Sequence, residues 1–316
     1  MSQDRPVLGI LLMLGFCVVA PLGDAVAKIL GQVVPLGQLL VIRFAVQALV
    51  LIPLVLVTGR LWRMNARIFR LALLRTALHI AGIGAMFTAL RYLPLADAIA
   101  IAFVMPFLML LLGKYVLGEE VGHRRLAACV VGFAGTLLVI QPSFAAVGWP
   151  ALWPLAVAVT FSLFILVTRQ IARDTDPIGL QAVSGVMAVL MLLPVLALGA
   201  ALGWAPTEMV APGPGEWALL LAIGLLGTGA HLLMTWSLRF APAATLAPMQ
   251  YLEIPVATLF GWLIFHDLPN RLAAIGILIT VAAGLYVVLR ERAVARDLAR
   301  ALRDGGPAAD AEARRV

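Results

Sequence analysis

Hydrophobic residues in this chain form long continuous runs, and short charged or Pro- and Gly-rich segments separate one run from the next. As a helix, a run of about 20 apolar residues is long enough to cross the hydrocarbon core of a bilayer. The pattern therefore predicts a polytopic membrane protein with ten spans. The predicted spans cover residues 6–29, 35–57, 69–91, 95–117, 124–142, 149–171, 177–203, 216–238, 243–265 and 271–290.

The second half of the chain repeats the first half. The segment ALRYLPLADAIAIAFVMPFLMLLLG (89–113) aligns with SLRFAPAATLAPMQYLEIPVATLFG (237–261), which pairs Arg91 with Arg239. Because each half holds five spans, an odd number, the second half enters the membrane in the opposite orientation. The predicted fold class is thus all-α, with ten transmembrane helices as two inverted five-helix repeats. The predicted domains are 1–145, 146–290 and a basic tail, 291–316.

Charge fixes the expected topology. The chain is 63% hydrophobic and only 12% charged, about half the charged share of a soluble domain. A net charge of +7 would indicate nucleic-acid binding in a soluble protein, but here the basic residues follow the even-numbered spans. By the positive-inside rule both termini are cytoplasmic. We therefore expect the lipid bilayer and a small molecule as partners, no nucleic acid, and a monomer or homodimer.

Motifs for cofactor chemistry are absent from the sequence. It contains neither GxxxxGK[ST] for ATP nor a GxSxG nucleophile elbow. Cys17 and Cys129 lie inside apolar runs, and neither CxxC nor HxxxH spacing occurs. We therefore expect no cofactor, metal or disulfide. The loops are also too short and too poor in His, Asp and Cys for a membrane enzyme.

Charged residues inside predicted spans are the first candidate site residues, because each costs about 2.5 kcal/mol or more in the bilayer unless it pairs or faces inward. Asp24 and Lys28 share a face of span 1. They are predicted to bind a zwitterion or relay a proton, or else to form a pair that reaches water. Arg43 in span 2 either neutralises a substrate carboxylate or phosphate, or is a structural partner of Asp24.

Two features of span 4 have structural interpretations. Asp97 lies near its start, where a carboxylate caps a helix. Met105 and Pro106 lie in mid-span, where proline interrupts helical hydrogen bonding. At the first position we expect a cap in preference to a substrate contact. At the second we expect a helix break, which either lines a cavity or is a plain structural bend.

Two histidines are further candidates. His79 in span 3 and its rough symmetry counterpart, His231 in span 8, are predicted to lie in a cavity, where imidazole donates, accepts or titrates near neutral pH. The alternative is a buried imidazole that bonds to a backbone carbonyl. Arg75 shares the His79 face and is expected to snorkel towards the cytoplasmic side.

The most distinctive cluster lies in span 9. Gln250 and Glu253 are three residues apart and share a helix face, and Tyr251 between them offers a ring with a polar tip. We predict that the three residues belong to the substrate site. The alternative is a buried polar contact with Arg43 or Lys28 that holds the two halves together.

These motifs together resemble a known family. The chain is similar, over about residues 7–290, to EamA-type members of the drug/metabolite transporter superfamily. Two of the motifs resemble the bacterial sub-branch that includes S-adenosylmethionine and riboflavin importers. The motifs are DAVAKILG (24–31), VIRF (41–44), ALRYLPLADA (89–98), LGEE (117–120) and APMQYLEIPVATLFGWLIFHDLPN (247–270).

The resemblance implies a secondary transporter. We expect it to move a small polar or zwitterionic metabolite across the bacterial inner membrane by alternating access, with proton coupling or exchange. Two alternatives use the same fold: a lipid or amphiphile flippase, and a drug or amino-acid exporter. The substrate does not follow from the fold, because specificity depends on the lining of the site.

Overall fold

The structure is a computed structural model that describes residues 6–116, 123–241, 246 and 249–303. In this part of the chain every regular element is helical, which confirms the all-α prediction. Short 3-10 turns lie before α7 and α9. The helices are α1 (Pro6–Leu30), α2 (Leu36–Thr58), α3 (Ala66–Leu90), α4 (Leu95–Ala102), α5 (Met105–Val116), α6 (His123–Val147), α7 (Trp153–Ile171), α8 (Pro177–Ala201), α9 (Pro214–Phe240), α10 (Glu253–Phe265) and α11 (Arg271–Arg303).

Seven helices of the described chain are long and apolar enough to cross a membrane: α1, α2, α3, α6, α7, α8 and α9. Their mean hydropathy lies between 1.5 and 2.5. The other apolar helices, α4, α5, α10 and the first part of α11, are shorter. The prediction of a multi-pass membrane protein is therefore confirmed, although the predicted spans do not match the helices one for one.

Predicted span 4 shows the clearest difference. It consists of α4 and α5, separated by a turn at residues 103–104. Pro106 explains the turn, because proline has no N–H to donate to the carbonyl of Ala102. The predicted break is confirmed, and it divides the span into two short helices.

Predicted span 9 is described only in part, and it also contains a break. A turn at residues 251–252 precedes α10, and Pro255 lies in the first turn of that helix. Both broken spans thus have irregular backbone at mid-length. In a membrane such backbone is tolerated where protein buries it or where it lines a cavity.

The interpretation of Asp97 as a helix cap is wrong. Its Oδ2 atom accepts a hydrogen bond from Ser143 Oγ at 3.1 Å. No side chain caps α4, which follows Pro94. Asp97 is buried, so its carboxyl group joins α4 to α6 in the interior instead of satisfying the helix end.

The main helix contacts join the first half of the chain to the second. α1 packs against α9, α2 against α8, α3 against α7, α4 against α10, and α6 against α11. α2 also contacts α9, and α1 also contacts α10. Each of these pairs takes one helix from each half, so the cavity described below is walled by both halves.

The contact between α6 and α11 depends on small residues. A Cβ atom on Gly135 would lie 2.8 Å from the carbonyl oxygen of Gly276. Thr280 Oγ1 donates to the carbonyl of Gly132 at 3.3 Å across the same contact. Glycine at this crossing lets the two backbones approach closely, as is common in membrane helices.

The last helix continues beyond its predicted span. α11 runs without interruption to Arg303, so residues 291–303 of the predicted basic tail continue the helix. The remainder of the predicted tail, residues 304–316, lies outside the described residues.

Candidate functional site

A cavity lies between α1, α2, α9 and the start of α10, and α3, α4 and α7 complete its wall. Its volume is about 90 Å³, which is space for several water molecules. Most of its lining is apolar, as is usual for sites that bind small molecules. The polar side chains of its described lining are Asp24, Arg43, His231, Gln250 and Glu253. These are five of the eight site residues that the sequence predicts.

Charges of both signs face this cavity. Asp24 on α1 and Glu253 on α10 contribute carboxyl groups, and Arg43 on α2 contributes a guanidinium group. Asp24 and Arg43 attract each other electrostatically. Neither of the two ion pairs found in the described residues involves these three groups. The cavity can therefore offer both signs of charge to a ligand.

Arg43 is buried where α2 meets α9. The side chain is 2% exposed, its Cζ lies 4.7 Å from the centroid of the Phe44 ring, and its Nη1 has no hydrogen-bond partner. Opposite it, α9 carries Gly227, where a Cβ atom would lie 2.8 Å from both Nε and Nη2 of Arg43. The glycine thus leaves the space that the guanidinium occupies.

The two helix breaks meet at the cavity. Gln250 and Glu253 flank the turn before α10, and Ala102 and Met105 flank the turn between α4 and α5. Side-chain donors satisfy nearby carbonyls: Ser162 Oγ donates to the carbonyl of Met105 at 3.3 Å. Interrupted helices thus place backbone polar groups beside the charged side chains, an arrangement that transporters use at their substrate sites.

His79 and His231 form a direct pair. Their Nε2 atoms lie 3.0 Å apart, which requires one ring to donate and the other to accept. His231 faces the cavity, and His79 lies behind it, fully buried against the ring of Phe164. The Nδ1 atoms of both rings have no hydrogen-bond partner. His79 therefore bonds to another imidazole, and the pair joins α3 of the first half to α9 of the second.

Besides His79, two further predicted site residues, Lys28 and Tyr251, do not line the cavity. Lys28 forms an ion pair with Asp267, with Nζ 3.2 Å from Oδ2, and donates to the carbonyl of Leu93 at 3.0 Å. The ring of Tyr251 is buried 5.2 Å from that of Phe103. Lys28 shares a helix face with Asp24 but lies about 6 Å further along the axis, and there it joins the end of α1 to neighbouring loops.

Arg75 does not snorkel, and the sequence-based expectation for it is wrong. Its side chain is 0% exposed. Its Nε donates to Thr168 Oγ1 and its Nη1 donates to Ser184 Oγ, both at 2.9 Å. The signal in the sequence was the presence of isolated hydroxyl residues in predicted spans 6 and 7, which supply this arginine with acceptors.

A second buried polar contact also escaped the sequence analysis. Gln47 Nε2 donates to the carbonyl of Gln181 at 2.7 Å, and Gln181 Nε2 donates to Thr235 Oγ1 at 3.2 Å. All three side chains are buried. This contact joins α2, α8 and α9 and closes the bundle beside the histidine pair.

Comparison with known proteins finds transporters by both a family model and individual relatives. A family model described as the EamA-like transporter family matches the chain twice, over residues 7–141 and 148–290. The riboflavin transporter of Rhizobium johnstonii is 31% identical over 222 residues, which is 69% of this chain and 70% of that protein. The S-adenosylmethionine uptake transporter of Rickettsia prowazekii is 24% identical over 275 residues, 87% of this chain and 90% of that protein.

A solved crystal structure has the same fold. It matches with a TM-score of 0.66 at 20% sequence identity, and the match covers 90% of this chain and 98% of that one. At this level of identity the match concerns the arrangement of helices and carries no information about the ligand.

Proposed function

The chain belongs to the EamA-like transporter family, and from this premise we propose that it moves a small polar or zwitterionic metabolite across the bacterial inner membrane by alternating access. It is a multi-pass membrane protein and a metabolite transporter, not an enzyme. The proposal concerns the class of metabolite, the residues that bind it and the way in which the two halves move.

The observation that carries this proposal is the charge pattern of the cavity. Arg43 is placed to neutralise an anionic group, and Asp24 and Glu253 are placed to neutralise a cationic one. Gln250 adds an amide that both donates and accepts. The apolar wall receives the remainder of the molecule. A metabolite with separated anionic and cationic groups satisfies all of these side chains at once.

Of the two similar proteins, the one named for S-adenosylmethionine fits this class. S-adenosylmethionine has a carboxylate, an ammonium group and a sulfonium group, so it matches a cavity with one guanidinium and two carboxyl groups. Riboflavin has no charged group at neutral pH and would use only the amide and the apolar wall. We therefore rank a zwitterion with an additional cationic group above a neutral ring system as the substrate of this chain.

The helix contacts support an inverted repeat. If residues 1–145 and 146–290 are equivalent halves, α1, α2, α3 and α6 correspond to α7, α8, α9 and α11, and α5 corresponds to α10. Exchange of the halves then converts the α1–α9 contact into the α7–α3 contact and the α1–α10 contact into the α7–α5 contact. It leaves the α2–α8 and α6–α11 contacts unchanged. A pattern that survives this exchange is expected of two halves that swap conformations. Ten spans would place both termini on the same side of the membrane, and by the positive-inside rule that side is the cytoplasm.

The histidine pair is proposed to couple the halves. The hydrogen bond between His79 and His231 crosses from one half to the other beside the cavity. Movement of α9 relative to α3 must break this bond, and each imidazole is then free to exchange a proton. Lys28 and Tyr251, which lie outside the cavity, are proposed to hold the ends of α1 and the start of α10 in position.

A thermal-shift screen of the purified protein tests the proposed substrate class. The panel contains amino acids, S-adenosylmethionine, riboflavin, quaternary amines and lysolipids. A ligand at 100 times its Kd adds about 2.7 kcal/mol to the free energy of unfolding, so a true ligand produces a clear shift. We expect the largest shift from a zwitterion with a further cationic group, confirmed by uptake into proteoliposomes. Shifts from lysolipids alone would support a flippase instead.

Gly227→Ala is expected to impair transport without unfolding the protein. The added methyl group would lie within about 3 Å of the Arg43 guanidinium, which is the flexible end of a side chain and moves at little cost. The displaced guanidinium no longer meets the anionic group of the metabolite. We expect at least a tenfold rise in KM for uptake, since a lost charged contact costs about 1.5–3 kcal/mol.

Gly229→Ala is the matched control. Gly229 lies two residues further along the same helix, and a Cβ atom there would meet no atom within 4 Å. Both substitutions replace a helical glycine by alanine, so any general effect on helix stability is the same. Equal uptake by the two variants would show that the position of Arg43 does not matter.

A further inference from the structure

Arg75 is a buried charge that the proposed substrate site does not use. Its hydrogen-bond partners are the neutral hydroxyls of Thr168 and Ser184, and its Cζ lies 4.5 Å from the centroid of the Phe164 ring. Its Nη2 is buried without a hydrogen-bond partner. Arg75 is absent from both ion pairs of the described residues. A fully buried guanidinium without a carboxylate partner is unusual, because burial of a charge is costly unless an opposite charge compensates it.

Arg75 and Arg43 lie at corresponding junctions of three helices. Arg43 lies on α2 where this helix meets α1, which carries Asp24, and α9, which carries Gly227. Arg75 lies on α3 where this helix meets α7 and α8, which carry its two hydroxyl partners. Exchange of the two halves converts α1, α2 and α9 into α7, α8 and α3. The two arginines therefore occupy equivalent junctions of three helices.

The two arginines lie on opposite sides of the bilayer centre. Arg43 is seven residues from the start of α2, and Arg75 is nine residues from the start of α3, which correspond to depths of about 10 and 13 Å. The loop between α2 and α3, with Arg60 and Arg63, marks the cytoplasmic side by its charge. Arg75 is thus reached from the cytoplasmic side and Arg43 from the opposite side.

The histidine pair lies between the two junctions. His79 is one helical turn beyond Arg75 on α3, and its partner His231 faces the cavity that contains Arg43. The positive charges of both arginines act on His79. The hydrogen bond between His79 and His231 separates the junction of Arg43 from the junction of Arg75. When this bond breaks, that separation is lost.

We propose that Arg75 is a second anion-binding site, which binds the carboxylate or phosphate group of the metabolite when the protein is open to the cytoplasm. The inference rests on the proposed alternating-access function. Arg43 holds the anionic group in the outward-facing state, and Arg75 holds it in the inward-facing state. An inverted repeat allows this change, because its two halves exchange conformations. A junction that is buried in one state is then exposed in the other.

Charge-selective labelling at position 184 tests the site without knowledge of the substrate. Ser184→Cys places a thiol beside Arg75 in a chain that also carries Cys17→Ala and Cys129→Ala. Membrane vesicles of known orientation are treated with two membrane-impermeant methanethiosulfonates, an anionic ethylsulfonate and a cationic ethyltrimethylammonium compound. We expect reaction from the cytoplasmic side only. Adding Arg75→Gln should reduce the ratio of the anionic to the cationic rate about tenfold, because a single guanidinium concentrates anions at the thiol.

Arg75→Lys is the matched variant, since it keeps the charge and should keep most of the preference for the anionic reagent. An unreactive thiol at position 184, or a rate ratio that Arg75→Gln leaves unchanged, would overturn the proposal. If Arg75→Gln does not reach the membrane, the ratio of the anionic to the cationic labelling rate is measured at several ionic strengths in the chain that retains Arg75. The anionic preference must fall as ionic strength rises, and a constant preference counts against an accessible charge.

The labelling experiment and the ligand screen test separate claims, so a negative result in one does not refute the other. Expected labelling without any response to zwitterions would refute the proposed substrate class and leave Arg75 as an anion site. A clear zwitterion response with an unreactive thiol would leave the substrate class intact and refute the Arg75 site.

Discussion

Glu253→Gln is expected to reduce uptake of the metabolite about 100-fold, since a charge-assisted hydrogen bond contributes about 1.5–3 kcal/mol to binding and each 1.4 kcal/mol is a factor of ten. Glu253 is the first residue of α10 and faces the cavity from the break in its span. Glutamine keeps the shape and the hydrogen-bonding capacity of the side chain but removes its negative charge and its titratable proton. Uptake is measured in proteoliposomes.

The amount of folded protein should remain unchanged in this variant. Neither described ion pair uses Glu253, and glutamine is easier to bury than a carboxylate. Glu208→Gln, in an exposed loop before α9, is the matched control for the same chemical change and should transport normally. Normal uptake by Glu253→Gln would remove this residue from the substrate site.

The sequence was sufficient to identify the polar residues that line the cavity, for a physical reason. In an apolar span a charged or amide side chain must face the interior of the bundle. Asp24, Arg43 and Glu253 each obey this rule, and the packing of α10 against α1 brings Glu253 to the cavity that Asp24 and Arg43 line. The composition of each span decides which residues point inward, and the arrangement of the helices decides which of them meet.

Lys28 and Arg75 show where such reasoning ends. Lys28 lies on the Asp24 face of α1, but its ion pair with Asp267 depends on the loop before α11, a contact between distant parts of the chain. Arg75 seemed close enough to the cytoplasmic side to reach water, but Thr168 and Ser184 retain it inside. Helix periodicity gives the face of a residue and its depth. It does not give the neighbouring helix.

Arg43→Gln is expected to abolish uptake and also to destabilise the protein. Loss of one partner from a buried charge pair costs up to about 3–5 kcal/mol, because the remaining charge is left uncompensated. Here that charge is Asp24, which attracts Arg43 and is only partly buried beside the cavity, so we expect the lower end of this range. The loss is measured as a lower unfolding temperature in detergent and as a lower yield of membrane protein.

The double variant Asp24→Asn, Arg43→Gln separates the two roles of the guanidinium. It removes both charges of the Asp24–Arg43 contact, so the unfolding temperature should recover to near that of the unmodified chain, and the coupling is measured by a double-mutant cycle. Uptake should remain lost, because no cation faces the anionic group of the metabolite. If Arg43 and Asp24 serve only as structural partners of each other, uptake recovers together with stability. Recovery of stability without uptake gives these two side chains a role in transport beyond stability.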